Sequence, residues 1–456
     1  MPVASAGMTD VEAGRPAPSL STPPVVDDEP LRRRRSLPPR RLALLAGALY
    51  VPFTTLGYGT DVDITNVLRS GESLLEGSYR YSRPPGALPY EALVGVLDRV
   101  GGPLAVNLAS AAMAVALLVT LAELVTRAFG ERPGRIAVVV VATQPWFWVA
   151  ATSLGDYAFA LGLLFAGVLA AQRDRRVLAG VAFATAIAFR STTVLLVGTY
   201  LLAELLGPDR PTDPAATPRP PFPGVVRTAV VTGVVGLLWF VPSWLSVGRT
   251  SRFLVNEFET TGLLAMVGRW GVKNIAFFGV FSIVVLAALL PVLLAGLRRF
   301  GEHVLVRFAV LAAVAAELLF LRFPWKPVHL LPVLLCLAVL LAASPRTRTR
   351  HVVVVVAAQL LLAVVSITVA EPDITNAATT GRLHLGIEWG VVVNEIDCRV
   401  DPPFEGGWPD LDTPAADYAA IDVFTCQARS WRPGGIPDDY GQGASERPPP
   451  HQTRQP

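Results

Sequence analysis

The sequence predicts an all-α polytopic membrane protein of about eleven transmembrane helices with a small extracytoplasmic C-terminal tail. Three observations predict it. Of 456 residues, 52% are hydrophobic and only 16% charged, where a soluble chain carries about a quarter charged residues. Apolar runs recur from Leu42 to about residue 370, many near the ~20 residues that a straight span needs. Arginine clusters fall between alternate runs, as expected where basic loops stay in the cytoplasm.

Residues 1–41 are rich in Pro, Ser and Arg, and Arg32 to Arg35, Arg40 and Arg41 directly precede the first apolar run. Such a segment is expected to be a disordered cytoplasmic tail. Leu42 to Tyr58 lacks a convincing small-x-small cleavage site and is followed by more spans, so it reads as a retained first helix. Further apolar runs cover about 103–123, 136–152, 154–171, 177–189, 192–206, 228–247, 274–297, 304–321, 328–343 and 352–370. Several are short, so tilted or broken helices are expected.

In the first half, the inner segments hold thirteen arginines and the outer loop 59–102 holds four (Arg69, Arg80, Arg83, Arg99). That asymmetry puts the N-terminus in the cytoplasm. The second half turns on residues 177–206. A helix pair broken at Phe189-Arg190-Ser191-Thr192 leaves the tail from Glu371 outside, whereas a single kinked helix inverts it. Cys398 and Cys426 favour the pair, because a disulfide between them requires an oxidising compartment. The tail then divides into an extracytoplasmic segment, 371–431, and a disordered Pro-rich end, 432–456. Lys plus Arg (39) nearly balance Asp plus Glu (36), and nothing in that balance suggests nucleic acid.

The chemistry concentrates in the first outer loop. It opens on Gly59-Thr60-Asp61-Val62-Asp63 and continues through Arg83-Pro84-Pro85-Gly86 to Tyr90-Glu91. Two carboxylates one residue apart at a membrane boundary are costly unless something cationic or reactive needs them. They can serve as general base for an acceptor hydroxyl or hold a divalent ion beside a phosphate, and solvated loop or N-cap roles are the plainer account. Asp156 opens the fourth helix on the same face; locally an N-cap explains it, and it can also complete a shared metal or acid/base site. Arg190 ends a short Ala-rich helix, where an unpaired guanidinium is expensive, so it is expected to pair with a carboxylate or a lipid phosphate or to snorkel to the headgroups. Lys326 and His329, with Arg322, lie in a short turn able to bind a phosphate leaving group, with Glu317 as a candidate counter-ion. The loop 248–273 looks amphipathic, through Arg269, Trp270 and Lys273 among others, and a solvated connector is its plainer reading. No phosphate-cradling Gly loop, zinc cysteine set or nucleotide-binding domain is present in the sequence, so no nucleotide cofactor is expected and ATP-driven transport is disfavoured.

A basic N-terminus, one helix, an outer loop opening on an acidic pair, an Arg-Pro-Pro-Gly segment, a carboxylate heading the fourth helix, a helix pair broken at Phe189-Arg190 and a late Lys326-Pro-Val-His329-Leu-Leu-Pro turn resemble the C-type (GT-C) membrane glycosyltransferases. That group includes protein mannosyltransferases, aminoarabinose transferases and arabinofuranosyltransferases. The resemblance covers roughly residues 42–345 and implies a hexosyl- or pentosyltransferase moving a sugar from a polyprenyl-phosphate donor to a glycan, lipid or protein acceptor of the cell envelope. It implies Asp61 as base or metal-holding carboxylate, Asp63 as its partner, Asp156 as the second outer-face carboxylate, and Arg190 and Lys326 on the lipid phosphate. Arg83 and His329 join them as candidate substrate contacts, and Asp61 with Asp156 are the candidate ligands for Mg or Mn. Val62 between the acids, His329 where many relatives have Arg then Tyr, and the tail beyond Glu371 depart from the pattern. A transporter or flippase whose charges line a pathway, or a non-catalytic envelope-assembly protein, is the competing expectation.

Overall fold

A computed structural model of the chain describes residues 37–61, 63–79, 81–83, 85–207, 222–247, 263–324, 326–372 and 379–400. Helix α1 (Pro39–Tyr50) starts inside the basic segment and passes into a 3-10 turn, Val51–Thr55. The expected helix to Tyr58 is therefore shorter, because Pro52 lacks the amide that would continue the ladder.

The region read as one outer loop carries two helices. Helix α2 (Ile64–Leu75) packs on the first part of α3 (Leu88–Phe129). Gly71 and Gly95 meet there so closely that a Cβ on Gly95 would lie 2.7 Å from the Gly71 backbone. Within α3 the helix breaks at Gly102 (φ 56, ψ −148), a conformation suited only to glycine, and Pro103 restarts it.

Next come α4 (Glu131–Ala142), α5 (Pro145–Thr152), α6 (Tyr157–Gln172), α7 (Arg176–Phe189), α8 (Thr193–Leu205) and α9 (Phe222–Val247). Residues 177–206 are thus a pair of helices, interrupted at Arg190, whose backbone is extended (φ −147, ψ 106). Helices α10 (Leu263–Phe278), α11 (Val280–Ala288), α12 (Leu290–Leu297), α13 (Val304–Arg322), α14 (Leu331–Ala343) and α15 (Thr349–Val364) follow. A 3-10 turn, Pro327–Leu330, connects α13 to α14.

One departure from the all-α expectation follows α15. The apolar run read to residue 370 leaves the helix at Val365, where Val-Ser-Ile-Thr-Val alternates in the manner of a strand. Strand β1 (Val365–Pro372) pairs antiparallel with β2 (Thr379–Trp389), Val365 opposite Trp389. Helix α16 (Val391–Val400) then packs against α15 and α5.

The chain is a multi-pass membrane protein. Among the described residues three helices, Leu88–Phe129, Phe222–Ser246 and Val304–Arg322, are long and apolar enough to cross a membrane, or five spans if two bent pairs count as one each. Those pairs, α4 with α5 (74°) and α10 with α11 (89°), are bent at short breaks, and five further apolar helices are 10–17 residues long. The expected count of eleven is not reached by length alone. Inside the bundle, buried Ala114, Ala137, Ala160 and Ala186 let backbones approach closely, which is how membrane helices gain dispersion contact without a hydrophobic driving force. Leu237, Leu238 and Val230 on α9 face outward, as lipid-facing residues do.

Candidate active site

Three segments distant in sequence meet at one end of the bundle. The first is Tyr58 to Asp63, joining the end of the 3-10 turn to α2. The second is Thr152 to Tyr157, joining α5 to α6, and Leu154 N–H donates to Tyr58 C=O (2.7 Å), tying the two backbones together. Gly59 (φ +111) permits this approach, since a Cβ there would lie 2.6 Å from Ser153 Cβ. The third is the turn before α14, which carries Lys326.

Lys326 Nζ donates to Asp61 Oδ1 (2.5 Å) and to Asp63 Oδ2 (2.8 Å). Asp61 Oδ1 also accepts the Asp63 amide (2.9 Å), which fixes the spacing of the two acids. Asp63 heads α2 and Asp156 heads α6, yet neither side chain caps its helix. The N-cap account of both residues therefore gives way to ion pairing. Asp156, only 2% exposed, accepts from Arg190 Nη1 (2.8 Å) and from Arg83 Nη2, and Arg83 reaches on to Asp63 (3.4 Å). Three carboxylates and three cations form one continuous network. Six of the seven candidate catalytic and substrate-contact residues belong to it.

His329, the seventh, joins it through aromatic packing. Its ring lies 5.8 Å from that of Tyr157, and the Arg190 guanidinium sits 4.0 Å from the Tyr157 ring centroid. The ammonium of Lys326, followed by Arg83, holds the Asp63 carboxyl well below the usual carboxylate range despite burial. Burial alone would pull Lys326 down, but Asp61 and Asp63 outweigh it and raise its pKa. Asp63 and Lys326 are therefore both ionised at neutral pH.

Glu317 does not serve as counter-ion to the late turn. It accepts from Trp270 Nε1 (2.7 Å) and Asn274 Nδ2 (3.5 Å) on α10, leaving Lys326 to the aspartates. The sequence reading gave Glu91 no role. It is fully buried and gathers the Arg83 loop, accepting from Tyr79 Oη (2.6 Å), the Ser82 amide (2.8 Å) and the Ser82 hydroxyl (2.5 Å). The one signal for it was its place in the polar loop, which does not distinguish a buried acid from a solvated one.

The donor set does not fit a divalent ion on Asp61 and Asp156. Each carboxylate already faces one or two cations, and an added double positive charge would sit among three fixed positive groups. No cluster of three or more His, Cys, Asp and Glu side chains able to hold a metal occurs among the described residues. Cys398 is buried on α16, whereas Cys426 lies outside the described residues, as do residues 248–262 of the loop read as amphipathic.

Residues 92–245 match the family model of the dolichyl-phosphate-mannose-protein mannosyltransferases. The chain is similar to the C-type membrane glycosyltransferases. The match bears out the resemblance seen in the motifs over that stretch, which holds Asp156 and Arg190; Asp61, Asp63, Arg83 and Lys326 lie outside it. No curated protein sequence matches the chain. Among solved structures, ArnT from Cupriavidus metallidurans in the apo state is 19% identical with a TM-score of 0.48, over 67% of this chain and 60% of that one. The same protein bound to undecaprenyl phosphate is 17% identical with a TM-score of 0.49, over 68% and 61%. The arabinofuranosyltransferase AftD from Mycobacteria is 18% identical with a TM-score of 0.42, over 72% of this chain and 27% of that one. The chain thus spans about three fifths of ArnT and about a quarter of AftD.

Proposed function

We propose that the protein is an integral-membrane glycosyltransferase that moves a hexosyl or pentosyl group from a polyprenyl-phosphate donor to a cell-envelope acceptor on the extracytoplasmic face. The observation that carries this reading is the bridge of Lys326 to Asp61 and Asp63 beside Arg190 and Arg83 on Asp156, a base and several fixed cations gathered at helix ends. The matched mannosyltransferase family supports it.

In this mechanism the acceptor hydroxyl loses its proton to Asp61, whose side chain is 27% exposed and so reachable. The acceptor oxygen bonds to the anomeric carbon as the bond from that carbon to the phosphate oxygen breaks. The electron pair leaves with the polyprenyl phosphate, and Lys326 and Arg190 are the groups placed to meet that charge. Charge fixed in advance where negative charge develops is usually the largest catalytic contribution. A single displacement inverts the anomeric centre. Asp156 holds two guanidiniums at once and acts as their counter-ion.

The side of the membrane rests on charge. The arginine distribution of the first half puts the N-terminus inside and loop 59–102 outside. Helix α16 packs on Thr60 and Thr152, so the segment beyond α15 shares the face of Asp61, which agrees with an extracytoplasmic C-terminal region and a Cys398–Cys426 pairing.

The test is sugar transfer in liposomes, with a panel of polyprenyl-phosphate sugars and envelope acceptors, wild type beside Asp61→Asn. Transfer that falls at least about 100-fold in Asp61→Asn, with the fold retained, supports the reading. Absence of transfer from folded wild-type protein with every donor refutes it, and solute flux in the same vesicles would then favour a transporter.

A further inference from the structure

Helix α16 comes from the part of the chain with no motif and no family match, yet it lies against the backbone of the site. Glu395 Oε2 accepts the Thr60 hydroxyl (2.7 Å), one residue before Asp61. Arg399 Nε donates to Glu395 Oε1 (2.8 Å), and its Nη1 donates to Thr152 C=O (3.0 Å), four residues before Asp156. The Arg399 side chain is fully buried and its guanidinium lies 6.0 Å from the Trp148 ring. Glu four residues before Arg on one helix is the favourable order for such a pair.

An ion pair buried this deeply is costly to desolvate and is weak as a source of stability by itself. Its geometry says what else it does. One end holds the segment that carries Asp61 and Asp63, the other holds the segment that leads to Asp156, and the two segments meet at the Gly59–Ser153 approach and the Leu154–Tyr58 hydrogen bond.

We infer that Glu395 and Arg399 are positioning residues of the acidic site, with Thr60 as the link that sets Asp61 against Lys326. Resting on the transferase reading for its consequence in catalysis, the clamp itself is a statement about Lys326 that can be measured without turnover. The C-terminal segment is therefore a built part of the site.

Thr60→Val removes one hydroxyl and keeps the β-branched shape, and Thr60→Ser returns the hydroxyl. The first measurement is the rate at which an amine-acetylating reagent modifies Lys326 in the full-length protein in detergent, read by mass spectrometry. Thr60→Val is expected to raise that rate at least about threefold, and Thr60→Ser to leave it at the wild-type value. Equal rates in Thr60→Val and wild type overturn the inference. The second measurement is turnover: kcat falls at least about tenfold in Thr60→Val, donor KM is unchanged, and Thr60→Ser recovers. Wild-type turnover in Thr60→Val also overturns it. A wild type without transfer counts against the transferase reading alone, and the Lys326 modification still decides the clamp. Glu395→Ala leaves Arg399 buried without its counter-ion and is prone to misfold, which is why the test sits on Thr60.

Discussion

Lys326 Nζ lies 2.5 Å from Asp61 and 2.8 Å from Asp63, joining the turn before α14 to the loop before α2 across more than 260 residues of chain. The ammonium holds the Asp63 carboxyl well below the usual carboxylate range, and in the proposed mechanism it meets the charge of the leaving phosphate. Lys326→Met is expected to lower kcat by about 100- to 1,000-fold, the usual loss when one preorganised charge donor is removed. Lys326→Arg should recover part of it, since charge is restored but a longer, planar guanidinium does not reproduce the position of a compact ammonium held against both acids. Steady-state kinetics across the three proteins check this, and equal kcat in wild type and Lys326→Met would sink the role given to Lys326.

Asp156 presents the opposite case, a nearly inaccessible carboxylate between two guanidiniums. Asp156→Ala leaves Arg190 without its carboxylate and Arg83 with Asp63 alone, a change that costs about 3 kcal/mol when a buried pair loses one partner. The expected result is a clear fall in the thermal midpoint of the solubilised protein. Asp156→Ala combined with Arg190→Gln should lose less than the two single losses added, because the residues share one network. Additive losses would show that the pair seen at 2.8 Å is not coupled.

The pH response of stability follows from the directions of two shifts. Asp63 is held low by Lys326, so its contribution is fully present above the unfolded carboxylate value of about 3.9 and is lost as pH falls through the lower folded value. Lys326 is raised against its burial by Asp61 and Asp63, so its contribution is present below about 10.4 and is lost as pH rises past that. Between about pH 5 and pH 9 the bridge should therefore leave the thermal midpoint unchanged. Below about pH 4 wild type should lose stability more steeply than Asp63→Asn, and parallel acid limbs in thermal scans would contradict the bridge.

Much of the site was legible because the cost of charge in a membrane makes a few residue types conspicuous. Asp61, Asp63, Asp156, Arg83, Arg190 and Lys326 stood out one by one as charges beside apolar runs, and the fold gathers them. Pairing was not legible, because it depends on which helix ends meet: Glu317 looked equally fit to hold Lys326, yet it faces Trp270. Glu91, Glu395 and Arg399 were missed for the same reason, since a buried acid and a solvated one read alike in a polar stretch. The helix count was limited by breaks such as that at Gly102 and the 74° bend between α4 and α5, which apolar length does not reveal. Hydrophobicity also failed to separate the end of α15 from β1, because the apolar stretch Leu360 to Val365 crosses the boundary without a break.

Divalent ions provide the last prediction. Had Asp61 and Asp156 been metal ligands, they would be expected to lack strong cationic partners, because a bound double charge and a neighbouring ammonium repel. Instead Asp61 is met by Lys326, and Asp156 by Arg83 and Arg190. The cations that a metal would supply are already covalent parts of the chain. Transfer measured after dialysis against excess chelator is expected to stay within about twofold of the untreated rate, and added Mg or Mn should not raise it. A rate that collapses with chelator and returns with one specific ion would instead require Lys326 or Arg190 to move off its carboxylate when substrate binds. That movement would appear as faster acetylation of Lys326 in the presence of the ion.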